Sequence, residues 1–202
     1  MAQVSFFNTG GVKYGVSIEG IEALKAFDEL PTRIQTAARM TVNKAADRAR
    51  TAGAVRIKQE VAFPGTYLDP SQGRLNVTKY ATGLDLSAKI TARDRPTSLA
   101  RFITAGGRKP FVKGVSVGVK PGRSRELNSA FIFPLRGGNV GLAVRSKTRP
   151  ANAYLPKFLG RDTWLLYAPS VEQVFTEVRT EIAPDISDFM ESEFNRIVDL
   201  KL

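Results

Sequence analysis

The sequence predicts an α+β fold, a small antiparallel β-sheet flanked by a long N-terminal helix and by C-terminal helices. Three observations predict it. Apolar residues recur every three or four positions from Ile34 to Ala52 and again from Val171 to Val198, the period of one helix face. Between those stretches the period drops to two, as in "LDLSAKITA", so that alternate side chains fall on one side of a strand. Two further runs meet at Arg136-Gly137-Gly138-Asn139, where glycine permits the positive φ of a tight hairpin. With 202 residues, 43% of them hydrophobic, the chain is expected to bury a core of its own and to fold as one domain over 1–202.

The elements follow in order. "VKYGVSIEGIEALKAFDELP" alternates at Val12, Tyr14, Val16 and Ile18, a strand, then turns helical through Ile21, Leu24, Phe27 and Leu30. Pro31 suits the first turn of the next helix, where an N–H would have no intrahelical partner. That helix keeps Ile34, Ala38, Val42, Ala45, Ala49 and Ala52 on or near one face, and alanine admits a close neighbour. Arg39, Lys44, Arg48, Arg50 and Arg56 read as a solvated face. Gly53 weakens the helix by about 1 kcal/mol relative to Ala and marks a place for a bend.

After Phe63, "FPGTYLDPSQGRL" is turn chemistry. Strands are expected at Leu84, Leu86, Ala88, Ile90 and Ala92, at Val115, Val117 and Val119, and on both sides of the Arg136–Asn139 turn. Two basic loops, about 104–114 and 120–130, are too long and polar to be buried and are expected to be mobile.

The last third begins with Trp164-Leu165-Leu166-Tyr167, apolar without alternation, as in a strand covered on both sides. Ser170-Val171-Glu172-Gln173 then has the spacing at which two side chains cap a helix start reciprocally. The helical segment 169–202 carries an apolar stripe through Phe189, Met190, Phe194 and Ile197, either core packing or a face for a partner, and Pro184 either kinks one helix or separates two. Trp164 and Tyr167 are expected to clamp this helix to the sheet, with an anchor between subunits as the other reading.

Composition narrows the chemistry. There is no His and no Cys, so the commonest general base, thiolate nucleophiles and the usual zinc ligands are missing. The acidic residues of the middle form no recurring pair or metal loop, and "GGRKP" lacks the spacing of a phosphate-binding loop. No catalytic, cofactor or metal site is expected, nor a membrane partner, and the start lacks an export signal, which points to a cytoplasmic product. The formal charge of +11 is unevenly placed: Met1–Phe63 has 9 basic and 6 acidic residues, Pro64–Ala168 has 18 and 5, and Pro169–Leu202 has 3 and 8. Such a chain suits a polyanion, or a head-to-tail contact with a copy of itself. Arg108, Lys109, Lys113, Lys120, Arg123 and Arg125 are the candidate contacts for a polyanion or partner. Phe6, Phe7, Phe102, Phe111, Phe131, Phe133 and Tyr154 interleave with basic residues as on a nucleic-acid surface, but read mainly as core.

The order of five segments resembles the minor tail protein Z family, within the tail-completion and head-tail joining proteins of tailed phages. "VSIEGIEALKAFDELP" resembles its opening strand and Gly-led helix, and "ARMTVNKAADRARTAG" its long helix with a central Asn. "LDLSAKITARDRPTSLARF" resembles its first inner strand, "AFIFPLRGGNVGLAVRS" its strand pair, and "LLYAPSVEQVF" its closing turn into a helix, with Ala168 where the family usually has Gly. The resemblance implies a non-enzymatic virion component made in the host cytoplasm and placed at the tail or head-tail junction. It implies a homo-oligomeric ring, with a hexamer as the expectation, meeting neck, portal-adaptor or tail proteins and the packaged DNA. A basic DNA- or RNA-binding protein of phage origin is the alternative, and a carboxylate-dependent cell-wall hydrolase a third.

Overall fold

A computed structural model describes residues 3–8, 13–19, 31–83, 85–106, 109–151, 153 and 162–200, the first two stretches as backbone. The expected helix from Ile21 to Leu30 lies outside the described residues, as do Leu84, Arg108 and Tyr154. The described residues form two helices and two antiparallel sheets, an α+β fold. The chain divides into two compact units, one of Met1–Arg56, Leu68–Arg93 and Phe175–Leu202, the other of Ile57–Tyr67 and Asp94–Val174.

The first unit holds a four-stranded sheet of β1 (Gln3–Asn8), β2 (Lys13–Glu19), β3 (Leu75–Lys79) and β4 (Ala88–Ala92), in the order β1-β2-β4-β3. The alternation read from the sequence places β2 and β4, and β4 buries Ala88, Ile90 and Ala92 as alternation requires. Sequence reading misses β1 and β3. Only Leu75 of β3 is fully buried, so that strand has no alternating pattern to detect.

Helix α1 (Thr32–Glu60) and helix α2 (Val171–Leu200) contribute most of their length to this unit. α1 buries Ala37, Ala38, Val42, Ala45, Ala46 and Ala49; α2 buries Phe175, Val178, Ile182, Ile186, Met190 and Ile197. They run antiparallel in register: Lys44 meets Glu193, Arg48 lies over Phe189, and Arg56 meets Glu181. Each step of four or eight residues along α1 is matched by the same step backwards along α2. Lys44, Arg48 and Arg56 are therefore not merely solvated, because their long cationic side chains lie along the helix pair and end on α2. Arg50 also departs from that expectation, donating hydrogen bonds to the carbonyls of Leu68 and Leu75.

α1 continues unbroken through Gly53. A Cβ there would lie 2.6 Å from Cε2 of Phe175, so glycine is what lets this buried ring reach the helix. Asn43 likewise serves packing: its amide oxygen accepts from Ala81 N (2.7 Å) while its NH2 donates to Ala81 O (3.3 Å), fixing the approach to β4. α2 is one helix through Pro184 rather than two. Proline inside a helix costs roughly 3 kcal/mol by removing a hydrogen bond and crowding the preceding turn. Pro184 and Thr180, whose carbonyl loses its partner, are both exposed, which spares the helix a buried orphan residue at that point.

The second unit holds β5 (Thr97–Ser98), β6 (Ile103–Gly106), β7 (Lys113–Val117), β8 (Arg125–Pro134), β9 (Val140–Arg145) and β10 (Thr163–Ala168), in the order β5-β10-β9-β8-β7-β6. The β8–β9 hairpin turns where expected, with Gly137 and Gly138 at φ 72° and 74°. Leu165 and Leu166, on opposite faces of β10, are both buried, which accounts for the unbroken apolar run. Leu165 packs with Phe131 and Ala143 on one face. About half of the two expected loops is strand: β6, the start of β7 and the first half of β8 fall within them. Their polar side chains hide the pairing, because the backbone ladder forms although the side chains stay exposed.

The capping box at the start of α2 is complete. Gln173 N donates to Ser170 Oγ and Ser170 N donates to Gln173 Oε1, each at 3.0 Å.

Candidate functional site

The candidate site lies in the second unit, on the β7–β8 hairpin. Lys120-Pro121-Gly122-Arg123 closes a β-turn, with Arg123 N donating to Lys120 O at 3.1 Å and Gly122 at φ 69°. Proline before glycine is the pair a type II turn selects. Arg125 then opens β8 opposite Val117, so the turn brings Lys120, Arg123 and Arg125 to one end of the sheet. All three are exposed.

They edge a cleft of about 580 Å³ whose floor is apolar, built from Leu99, Val117, Leu127 and Tyr167. β10 supplies Tyr167 because it is hydrogen-bonded to β5, with Tyr167 opposite Ser98, and Leu99 follows directly after β5. Tyr167 is half-buried, and burial raises the pKa of its phenol, so it stays a neutral hydroxyl in the working range. Its other side lines a second hollow of about 520 Å³ with Phe133, Leu135, Leu165, Arg136 and Asn139. Cations at a rim above an apolar floor suit an anionic ligand that also carries hydrocarbon.

The other sequence candidates divide. Lys113 starts β7, four residue steps from Val117 and so roughly 13 Å along the strand from the basic turn. Lys109 is exposed beyond it, and Arg108 lies outside the described residues. The six candidate cations are thus not one patch: only Lys120, Arg123 and Arg125 are brought together. Near Lys109, Phe111 is 58% exposed at φ 63°, with its ring against Phe131 and Phe133. Phe111 therefore departs from the core reading, whereas Phe102 and Phe131 are buried as expected.

Trp164 is half-buried rather than enclosed, and its indole N–H donates to Ser146 O at 2.9 Å, across from β9. In the first unit Met190 and Ile197 are buried, Phe189 sits under the Arg48 guanidinium at 4.7 Å, and Phe194 packs on Ala38 and Leu86. Met190 and Ile197 of that stripe are core, while Phe189 and Phe194 stay half-buried. Sequence reading did not single out Glu193, which lies on the same buried stripe. Arg196 and then Lys44 hold its carboxyl at about 2. A lone glutamate among apolar residues at helical spacing was the available signal.

Among the described residues no group of three or more acidic side chains is placed to hold a metal ion, and no helix is long and apolar enough to cross a membrane. Comparison of the chain with protein-family models, with curated proteins and with solved structures gave no match.

Proposed function

We propose that this protein is a structural component of a tailed-phage virion, one subunit of a homo-oligomeric ring at the tail or head-tail junction. The observation that carries the reading is the β7–β8 arm. Arg125, Glu126, Asn128 and Ser129 are all exposed along the first half of β8, although Val115 and Val117 of the paired β7 are buried, so the arm is packed on one side while its polar outer half stays open. A strand ordered by its ladder whose polar side chains stand in water offers a surface for meeting another molecule. The reading is supported by the ordered resemblance of five segments to the minor tail protein Z family. These segments fall on β2, α1, β4, the β8–β9 hairpin and the β10-to-α2 turn.

The test is electron microscopy of the purified chain for closed rings, with mass spectrometry of purified particles for its presence. Replacing Arg123 and Arg125 by Ala is expected to leave folding intact, since exposed charges contribute little, and to weaken joining to the next component. Absence of the chain from tailed particles overturns the reading.

The cluster of Lys120, Arg123 and Arg125 favours a second reading, a DNA- or RNA-binding protein. That reading requires tight binding of the free protein to nucleic acid, steeply weakened by salt and lost with Arg123 and Arg125.

A further inference from the structure

Facing solvent on α2 is a second charged surface, of opposite sign to the cleft. Glu177, Glu181, Asp185 and Asp188 succeed one another at four, four and three residues and are all exposed, so they form one acidic stripe. Like charges at that spacing disfavour a helix. Glu181 is offset by Arg56. In the register that pairs Arg48 with Phe189 and Arg56 with Glu181, the residue opposite Asp185 is Ala52, which brings no cation. Among the described residues no ion pair engages Glu177, Asp185 or Asp188, nor Lys120, Arg123 or Arg125. Pro184, exposed between Glu181 and Asp188 on the same surface, adds an apolar contact to the stripe.

We infer that the basic cleft of one copy receives the acidic face of α2 from a second copy. Lys120, Arg123 and Arg125 would meet Glu177, Asp185 and Asp188, while Pro184 faces the floor of Val117, Leu127 and Tyr167. Charge complementarity selects this occupant, and the apolar floor prefers it to a phosphate backbone, which engages cations and offers the floor little. Two different surfaces meet, so the contact is head-to-tail and repeats from copy to copy until it closes. The inference rests on the ring reading and names its joint.

The test is a charge swap in the full chain, read by analytical ultracentrifugation. Arg123→Glu with Arg125→Glu, and separately Asp185→Lys with Asp188→Lys, are each expected to lose at least tenfold in self-association. An equimolar mixture is expected to regain it, because each altered surface then meets its opposite. Circular dichroism checks folding, and the Gln and Asn substitutions at the same sites replace any variant that fails to fold. Rings that survive either reversal, or a mixture that does not recover, overturn the joint and leave the ring reading standing. Wild-type protein that forms no assembly and is absent from particles overturns both. Intact rings together with duplex-DNA binding lost in the Arg123/Arg125 variant assign the cleft to a polyanion instead.

Discussion

Gly53 of α1 lies beneath the ring of Phe175 in α2, with no room between them for a methyl group. In an exposed helix, Gly→Ala adds about 1 kcal/mol of stability. Here the added carbon meets a fully buried ring, and overpacking of that kind costs roughly 1 to 3 kcal/mol, so Gly53→Ala is expected to destabilise. Combining it with Phe175→Leu, which opens space, should cost less than the two changes summed. Urea unfolding of the four proteins measures this, and strictly additive costs would show that ring and glycine do not meet.

Glu193 gives the first unit a pH dependence. Its folded pKa of about 2 lies below the ordinary 4.5, first through hydrogen bonds from Arg196 and then through Lys44. A depressed carboxylate contributes fully above its unfolded pKa and loses that contribution as pH falls through the folded one. Glu193→Gln is therefore expected to cost about 2 kcal/mol at neutral pH, with the deficit shrinking between about pH 5 and pH 2. Asp85 is likewise held at about 2 by Lys79 and Ser87, so the comparison must be between variant and wild type at each pH. A deficit that stays constant on acidification would remove the ion pairs from the explanation.

The reciprocal cap of α2 is open to a smaller substitution. Ser170→Ala removes the acceptor for Gln173 N and is expected to cost about 1 kcal/mol, with faster amide exchange at Gln173. Unchanged exchange at that amide would mean that another group caps the helix.

Trp164 is half-buried, so its truncation should cost less than the 3 to 5 kcal/mol typical of an enclosed aromatic. Trp164→Phe keeps the ring but drops the hydrogen bond to Ser146 O, for about 1 kcal/mol, and Trp164→Ala should cost about 2. Thermal melting and particle incorporation are measured together. A monomer that melts as wild type but does not assemble would make Trp164 a contact between subunits.

Local regularities were legible in the sequence because they depend on near neighbours along the chain. The alanine stripe of α1, the alternation of β4, the glycine turn between β8 and β9, and the Ser170–Gln173 cap each rest on a short period or a fixed offset. β6 and the first half of β8 escaped notice because backbone ladders hold them while their side chains stay in water, so they leave no apolar pattern. The cations of the cleft were visible as residues, but not as a group distinct from Lys109 and Lys113.

What the sequence by itself determined is the fold class, the places of β2, α1, β4, the β8–β9 hairpin and α2, and the charge contrast between the middle and the tail. Only the tertiary structure decided which strands pair, and thus that β5 sets Leu99 and Tyr167 beside Lys120, Arg123 and Arg125. It alone decided that Arg48 and Arg56 end on α2 and that Gly53 exists for Phe175. The reason is physical. Helix and strand periods come from backbone geometry, which every short segment carries with it, whereas contacts between segments far apart in sequence depend on packing the whole chain against itself.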